Sequence, residues 1–133
     1  MDIANNLPPD WNITYDYPSI THVNSIAFFN ASGFLGVRRL YTKYPGATSS
    51  IGVDIAQYRS ALQAQLQYTS SYYYTFPLDA EASTVSGASC NSTEYPTTYI
   101  AFCSKGNYTF SLSSKSKTEG LVLGKAVGKA ISP

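Results

Sequence analysis

The sequence predicts an α+β fold in which a predominantly antiparallel β-sheet packs against one amphipathic helix. Stretches rich in β-branched and aromatic residues, several of them alternating at period two, lie on both sides of one stretch with helical periodicity. The chain has 133 residues, the length of one domain, which is long enough to bury a core. An all-β sandwich that carries the helix as an insertion is the alternative.

The N-terminal half is predicted to contain an arm and a hairpin. Residues 1–18 have the composition of an extended arm or linker, and residues 19–123 are predicted to form the globular domain. Strands are expected at 20–29 and 34–44, joined by the turn-forming residues 30–33.

The single helix is predicted near residues 54–68. Ile55, Tyr58, Leu62 and Leu66 fall at i, i+3, i+7 and i+11, the spacing of one helix face. Asp54 would place a negative charge at the N-terminus of this helix, where the macrodipole favours it.

The C-terminal half is predicted to be mainly strand. Residues 69–76 have strong β character, 83–89 form a surface loop, and 97–103 form a strand that turns into another strand. In that second strand Tyr108, Phe110 and Leu112 alternate with Thr and Ser. We expect a last strand at 121–123 and a flexible basic tail at 124–133. The glycines that recur every four residues from Gly120 leave open a helix that docks on a partner instead.

The two cysteines indicate an oxidising compartment. Cys90 and Cys103 are too few for a structural zinc site, so a disulfide between them is predicted, with two buried thiols as the alternative. The bond would contribute about 3 kcal/mol in the chain-entropy model. Four Asn-x-Ser/Thr sequons point to the same compartment, although Asn-rich turns would look the same; the candidate glycosylation sites are Asn12, Asn30, Asn91 and Asn107. The sequence thus predicts an extracellular or cell-surface protein.

The composition narrows the classes of partner. Charged residues make up 13% of the chain, the net charge is +1, and twelve tyrosines carry much of the polarity. Such a surface lacks the positive field that attracts phosphate backbones, so no nucleic-acid partner is expected. No apolar run reaches the length of a membrane span and no signal sequence precedes the domain. We therefore expect a mature form that meets a membrane only through a partner chain.

No catalytic residue, metal site or cofactor is predicted. His22 is the single histidine and lies in a strand-like apolar run, where a structural role is favoured. The acids are scattered, and neither a Ser-His-Asp arrangement nor a phosphate-binding glycine loop is present. The expectation is therefore that the chain is not an enzyme.

Three consecutive tyrosines are the candidate contact surface. Tyr72, Tyr73 and Tyr74 would give aromatic area for stacking on a sugar or for a protein interface. Since alternate residues of a strand point to opposite faces, at most two of the three would share one surface. The simpler interpretation places core on one side and solvent on the other.

The order of elements in residues 54–123 carries a family resemblance. An amphipathic helix, a Ser-rich loop, a cysteine pair and a closing hairpin over residues 98–113 resemble the globular head of type IV pilins and pseudopilins. The long hydrophobic N-terminal helix of that family is absent from this sequence. The resemblance implies a structural surface subunit that assembles with its neighbours, and it transfers no catalytic residues.

The predicted function is that of a non-catalytic, extracellular structural subunit of a cell-surface filament or appendage. Its partners would be other copies of itself or a companion filament or envelope subunit. Two alternatives remain open at this point. One is an archaeal or viral surface β-sandwich module anchored to an envelope or capsid, and the other is a carbohydrate-binding adhesin that contacts glycans.

Overall fold

A seven-stranded antiparallel sheet flanked by two helices forms the protein. The computed structural model describes residues 1–20, 33–47, 50–75, 80–95 and 97–132. The order across the sheet is β1-β2-β3-β7-β6-β5-β4. The elements are β1 (Asn12–Ile20), β2 (Phe34–Lys43), β3 (Ile51–Tyr58), α1 (Ala61–Thr75), β4 (Glu81–Val85), β5 (Ala88–Tyr95), β6 (Thr98–Lys105), β7 (Tyr108–Ser114) and α2 (Lys117–Ala130). The predicted α+β class is confirmed, with one sheet between helices rather than a sandwich.

The main core lies between the sheet and α2. Val53, Phe110, Leu123 and Val127 are almost fully buried there, and a short 3-10 helix at Ala4–Asn6 adds Ile3, which is 1% exposed. The predicted N-terminal arm is therefore wrong. An apolar side chain at position 3 docks on the core, and residues 12–20 pair with β2 as an edge strand of the sheet.

The predicted helix near residues 54–68 is misplaced. Ile51, Val53 and Ile55 are buried at alternate positions, so this segment is strand β3 between β2 and β7. The helix begins at Ala61 and continues to Thr75, through residues predicted as strand. Its inward side chains are Ala64 and Tyr68, and the two leucines of the predicted apolar face point outward.

The strand predicted at 121–123 and the flexible tail predicted at 124–133 are wrong, because residues 117–130 form a second helix. Helix α2 begins after Ser116, whose hydroxyl accepts a hydrogen bond from the Glu119 amide, and it ends at Ala130 with the core face buried. A Cβ on Gly120 would lie 2.5 Å from the Tyr99 ring, and one on Gly128 would lie 2.9 Å from the Val85 carbonyl oxygen. The repeated glycines thus let the helix approach the sheet of its own chain closely. The alternative interpretation of their spacing had the helix dock on a partner instead.

Lys105 fastens the end of this helix. Its ammonium group donates hydrogen bonds to the carbonyl oxygens of Gly128, at 2.7 Å, and Ser86, at 3.1 Å. Gly128 lies in the last turn of α2, where carbonyl groups are unpaired and the macrodipole favours a positive charge. One side chain therefore joins the end of β6, the β4–β5 turn and the C-terminus of α2.

The closing hairpin agrees with its prediction, and the segment before it does not. Strands β6 and β7 pair in register, with Phe110 and Leu112 buried in the main core. The predicted loop at residues 83–89 is β4, a tight turn at Ser86–Gly87 and the start of β5. Strand β2 confirms the predicted strand at 34–44. Most of the strand predicted at 20–29 lies outside the described residues.

Candidate binding surface: the open tyrosine face

Helix α1 covers only part of the sheet face opposite α2. It packs on Tyr58 and Phe102, and the neighbouring part of that face presents Tyr15 and Tyr17 of β1 with Tyr41 of β2. Tyr15 is 61% exposed and Tyr17 is 44% exposed. We call this surface, formed by Tyr15, Tyr17, Tyr41, Arg39 and Asp54, the open tyrosine face.

Strand register brings these residues together. Tyr15 lies opposite Tyr41, Tyr17 opposite Arg39, and Arg39 opposite Asp54 across three neighbouring strands. Directly opposed residues in antiparallel strands share a face, and residues two apart in one strand share it too. The five side chains therefore emerge on the same side of the sheet.

The three tyrosines form a connected aromatic wall. The rings of Tyr15 and Tyr17 stack with centroids 6.0 Å apart, and Tyr15 meets Tyr41 edge to face at 6.4 Å. Tyr41 lies over Gly52 in the next strand, where an added Cβ would come within 3.0 Å of the ring. Glycine at position 52 thus provides the space in which the Tyr41 ring rests on the sheet.

Arg39 and Asp54 form an ion pair beside the tyrosines, and we call this pair the floor of the face. Arg39 Nε donates to Asp54 Oδ1 at 2.7 Å, and Nη2 donates to Oδ2 at 3.0 Å. The hydrogen bonds to Asp54 raise the pKa of Arg39, while burial opposes this rise. The pair is half-buried and carries no net charge, and three of the five guanidinium N–H groups have no partner among the described residues.

A shallow depression runs along this floor. It has a volume of about 420 Å³, and Ile100, Ser111 and Ser113 complete its lining next to Tyr41 and the ion pair. Ile100 contributes an apolar side chain and the serines contribute hydroxyl groups. The depression therefore combines aromatic, apolar and neutral hydrogen-bonding surface, which suits recognition of a polar molecule without net charge.

A similar ion pair, which joins β1 and β2, lies on the opposite face of the sheet. Arg38 Nε and Nη2 donate to the two carboxylate oxygens of Asp16 at 2.9 and 2.7 Å, and Arg38 Nη1 donates to the Met1 carbonyl. The hydrogen bonds from Arg38 lower the pKa of Asp16, and burial opposes them. Because Arg38 and Arg39 are neighbours in β2, one pair faces the tyrosines and the other faces away.

The cysteine pair lies in the main core, away from the open tyrosine face. Cys90 and Cys103 occupy directly opposed positions of β5 and β6 and form a disulfide. Both are 2% exposed. The predicted loop at residues 83–89 would have placed Cys90 at the end of a loop, but the bond joins two paired strands. A disulfide is consistent with an oxidising environment.

The candidate glycosylation sites differ in accessibility. Asn12, at the start of β1, and Asn107, in the β6–β7 turn, are exposed. Asn91 is half-buried on the α1 side of the sheet, and its amide donates a hydrogen bond to the Tyr68 hydroxyl. A glycan on that nitrogen would replace one of its two N–H groups and would crowd the contact with Tyr68 of α1. Asn30 lies outside the described residues.

The remaining predicted residues lie partly or wholly outside the described part of the structure. Tyr72, Tyr73 and Tyr74 belong to the helical backbone of α1, so the strand argument applied to them is wrong; their side chains are outside the described part of the structure, as is His22. Within the described ranges no group of three or more His, Cys, Asp or Glu residues could hold a metal ion. No helix in those ranges is long and apolar enough to cross a membrane.

Sequence reasoning missed every residue of the open tyrosine face. Tyr15 and Tyr17, like Arg39 and Tyr41, are spaced at period two and could have been assigned to shared strand faces. The segment around Tyr15 was instead read as an arm. From sequence, Arg38 and Arg39 are interpreted as a solvated pair on an edge strand, with an anion contact as the alternative, whereas β2 lies inside the sheet.

Comparison with known proteins identifies the fold and no family. No protein-family model matches the chain, and no curated protein matches it. A solved structure of a GTP-binding regulator from Thermotoga maritima is similar, with a TM-score of 0.59 and 9% sequence identity. The alignment covers 96% of this chain and 84% of that one. At this identity the similarity shows a shared fold alone.

Proposed function

We propose that this chain is a non-catalytic extracellular subunit that binds a cell-surface partner through the open tyrosine face. One observation carries the proposal: on sheet surface that α1 leaves uncovered, Tyr41 and a neutralised ion pair line a depression, and Tyr15 and Tyr17 lie beside Tyr41. Tyrosine gives a large contact area at a low cost in side-chain entropy, which is why it is frequent at binding surfaces.

The assignment to the extracellular space has two supports. The buried disulfide between β5 and β6 suits an oxidising compartment, and the sequons at Asn12 and Asn107 lie at exposed positions. Neither exposed sequon belongs to the open tyrosine face, so glycans at these two sites would leave the five residues of the face chemically unchanged.

Binding to isolated cell envelopes tests the proposal. Purified oxidised protein should sediment with envelopes of the cells that produce it, and Arg39→Ala should reduce the bound fraction at least tenfold. Arg38→Ala is the matched control, because it removes a similar ion pair on the other face. Equal binding by the two variants, or free thiols in the native protein by non-reducing mass, would contradict the proposal.

A second candidate function is assembly into a filament or appendage. Leu62 and Leu66 lie one turn apart on the outer side of α1 and are 67% and 57% exposed. Exposed apolar side chains at this spacing suit a helix-mediated contact between subunits. Sedimentation velocity over a concentration series should show association that Leu62→Lys abolishes and Gln65→Lys retains. A monomer at every concentration would exclude self-assembly through this helix.

A further inference from the structure

We propose that the ligand of the open tyrosine face is a neutral oligosaccharide. This inference rests on the proposed function and names the chemistry of its partner. The argument uses three properties of the face: its aromatic wall, its hydrogen-bonding floor and its charge balance.

The aromatic wall suits the apolar side of a sugar ring. A pyranose presents several C–H groups on one side, and these groups pack on the electron-rich face of an aromatic ring. The stacked rings of Tyr15 and Tyr17 are parallel within 7°, so the outer faces of the stack are available to a sugar ring, and Tyr41 stands at 87° to Tyr15. Tyr41 lines the depression, so a sugar ring that packs on Tyr41 would lie next to it.

The floor suits sugar hydroxyl groups. Arg39 keeps three N–H donors beyond its bonds to Asp54, and the Asp54 oxygens retain lone pairs. Adjacent hydroxyls of a sugar donate and accept at spacings that a planar guanidinium–carboxylate pair can match. The mutual bidentate bonds hold both groups in place, so little side-chain entropy is lost when a ligand binds.

Charge balance selects a neutral ligand. Arg39 and Asp54 are the only charged residues that line the depression among the described residues, and they neutralise each other. A phosphate-bearing or otherwise anionic ligand would have to compete with Asp54 for the guanidinium group. The volume of about 420 Å³ falls in the range of small-molecule sites and accommodates about one or two sugar rings.

The test is titration of the full-length oxidised protein with defined oligosaccharides. The panel contains neutral chains of glucose, galactose, mannose and N-acetylglucosamine, and binding is followed by amide NMR shifts and calorimetry. At least one neutral oligosaccharide should bind with a Kd of about 0.01 to 1 mM, shifting the amides of β1, β2 and β3. Absence of binding across the panel would overturn the proposal.

Matched variants assign the binding to this face. Tyr41→Ala and Arg39→Ala should each weaken binding at least tenfold, whereas Tyr41→Phe and Arg38→Ala should change it less than about threefold. Trp11 packs against Tyr44 in the main core, so its fluorescence reports on folding separately from the site. Equal loss in Arg38→Ala and Arg39→Ala would place the binding elsewhere and refute the assignment.

Asp54→Asn gives an independent check on charge. The substitution preserves side-chain shape and leaves Arg39 with a net positive charge. Affinity for the neutral oligosaccharide should fall about tenfold, and a glucuronate-containing chain should bind more tightly than it does to the wild type. If envelope binding depends on Arg39 while no oligosaccharide binds, the partner is a protein surface, and the glycan inference fails while the proposed function stands.

Discussion

Arg38 and Arg39 are neighbours in sequence, but their side chains lie on opposite faces of the sheet. Arg38 and Arg39 make nearly equivalent bidentate bonds to carboxylates, but strand alternation directs one toward the open tyrosine face and the other away from it. The sequence alone does not distinguish the two arginines, which are adjacent and have the same charge. Their separate roles depend on the register that sets Asp16 near Arg38 and Asp54 opposite Arg39.

The Asp16–Arg38 pair predicts a specific acid dependence of stability. The folded-state pKa of Asp16 is lowered, so the pair stabilises the protein above the unfolded-state value of about 4. This contribution is lost as pH falls through the folded-state pKa. Since both side chains are partly exposed, the expected size is about 0.2 to 1 kcal/mol.

Urea unfolding of Asp16→Asn from pH 7 to pH 2.5 measures this contribution. The variant should be less stable than the wild type at pH 7, and the difference should disappear at the acid end of the series. Asp10→Asn is the control, because exposed Asp10 takes part in neither ion pair. A stability difference for Asp16→Asn that persists at the lowest pH would contradict the assignment.

At the level of elements, a helix or strand was predictable where its sequence pattern depends only on residues close together in the chain. The β6–β7 hairpin was predictable because Tyr108, Phe110 and Leu112 alternate with hydroxyl residues and the turn is short. The helix was displaced because Tyr58, Leu62 and Leu66 happen to have helical spacing, although the first belongs to β3. Nothing local indicates that Ala64 and Tyr68, rather than the leucines, face the sheet.

The three glycines of α2 give a prediction at this scale. Gly124→Ala should raise the free energy of unfolding by about 0.5 to 1 kcal/mol, because alanine favours helix and the new Cβ would lie 3.5 Å from Leu112, an ordinary contact. Gly120→Ala and Gly128→Ala should lower it by about 1 to 3 kcal/mol, because each Cβ would clash with buried atoms.

Chemical denaturation of the three single variants under identical conditions tests this order. All three substitutions make the same chemical change in one helix, so intrinsic helix propensity cancels between them. Three equal effects of either sign would show that the helix does not approach the sheet as closely at Gly120 and Gly128 as the structure indicates.

At the scale of the whole molecule, the class of fold was predictable and the open tyrosine face was not. Composition and alternation were enough to predict an antiparallel sheet with helical packing. The open tyrosine face depends on which part of the sheet α1 leaves uncovered, a tertiary property that the pairing order of β1, β2 and β3 creates. The sequence prediction selected three consecutive tyrosines, whereas the tyrosines of the open tyrosine face come from two strands.

The sequence prediction and the structure differ most in the C-terminal segment. As a flexible tail, residues 124–133 could be removed without effect. In the structure Ala126, Val127 and Ile131 are buried in the main core, and the Gly128 carbonyl accepts the Lys105 hydrogen bond. Loss of the two larger side chains alone should cost about 3 to 6 kcal/mol, a large share of the stability of a domain of this size.

Truncation tests this difference directly. A chain that ends at Leu123 should lose cooperative unfolding and the near-ultraviolet signal of Trp11, which packs in the same core. A chain that ends at Ile131 removes only the last two residues and should unfold like the full protein. If the shorter chain retains a cooperative transition with an unchanged midpoint, α2 does not contribute to the core, and the approach of Gly120 and Gly128 to the sheet has no energetic consequence.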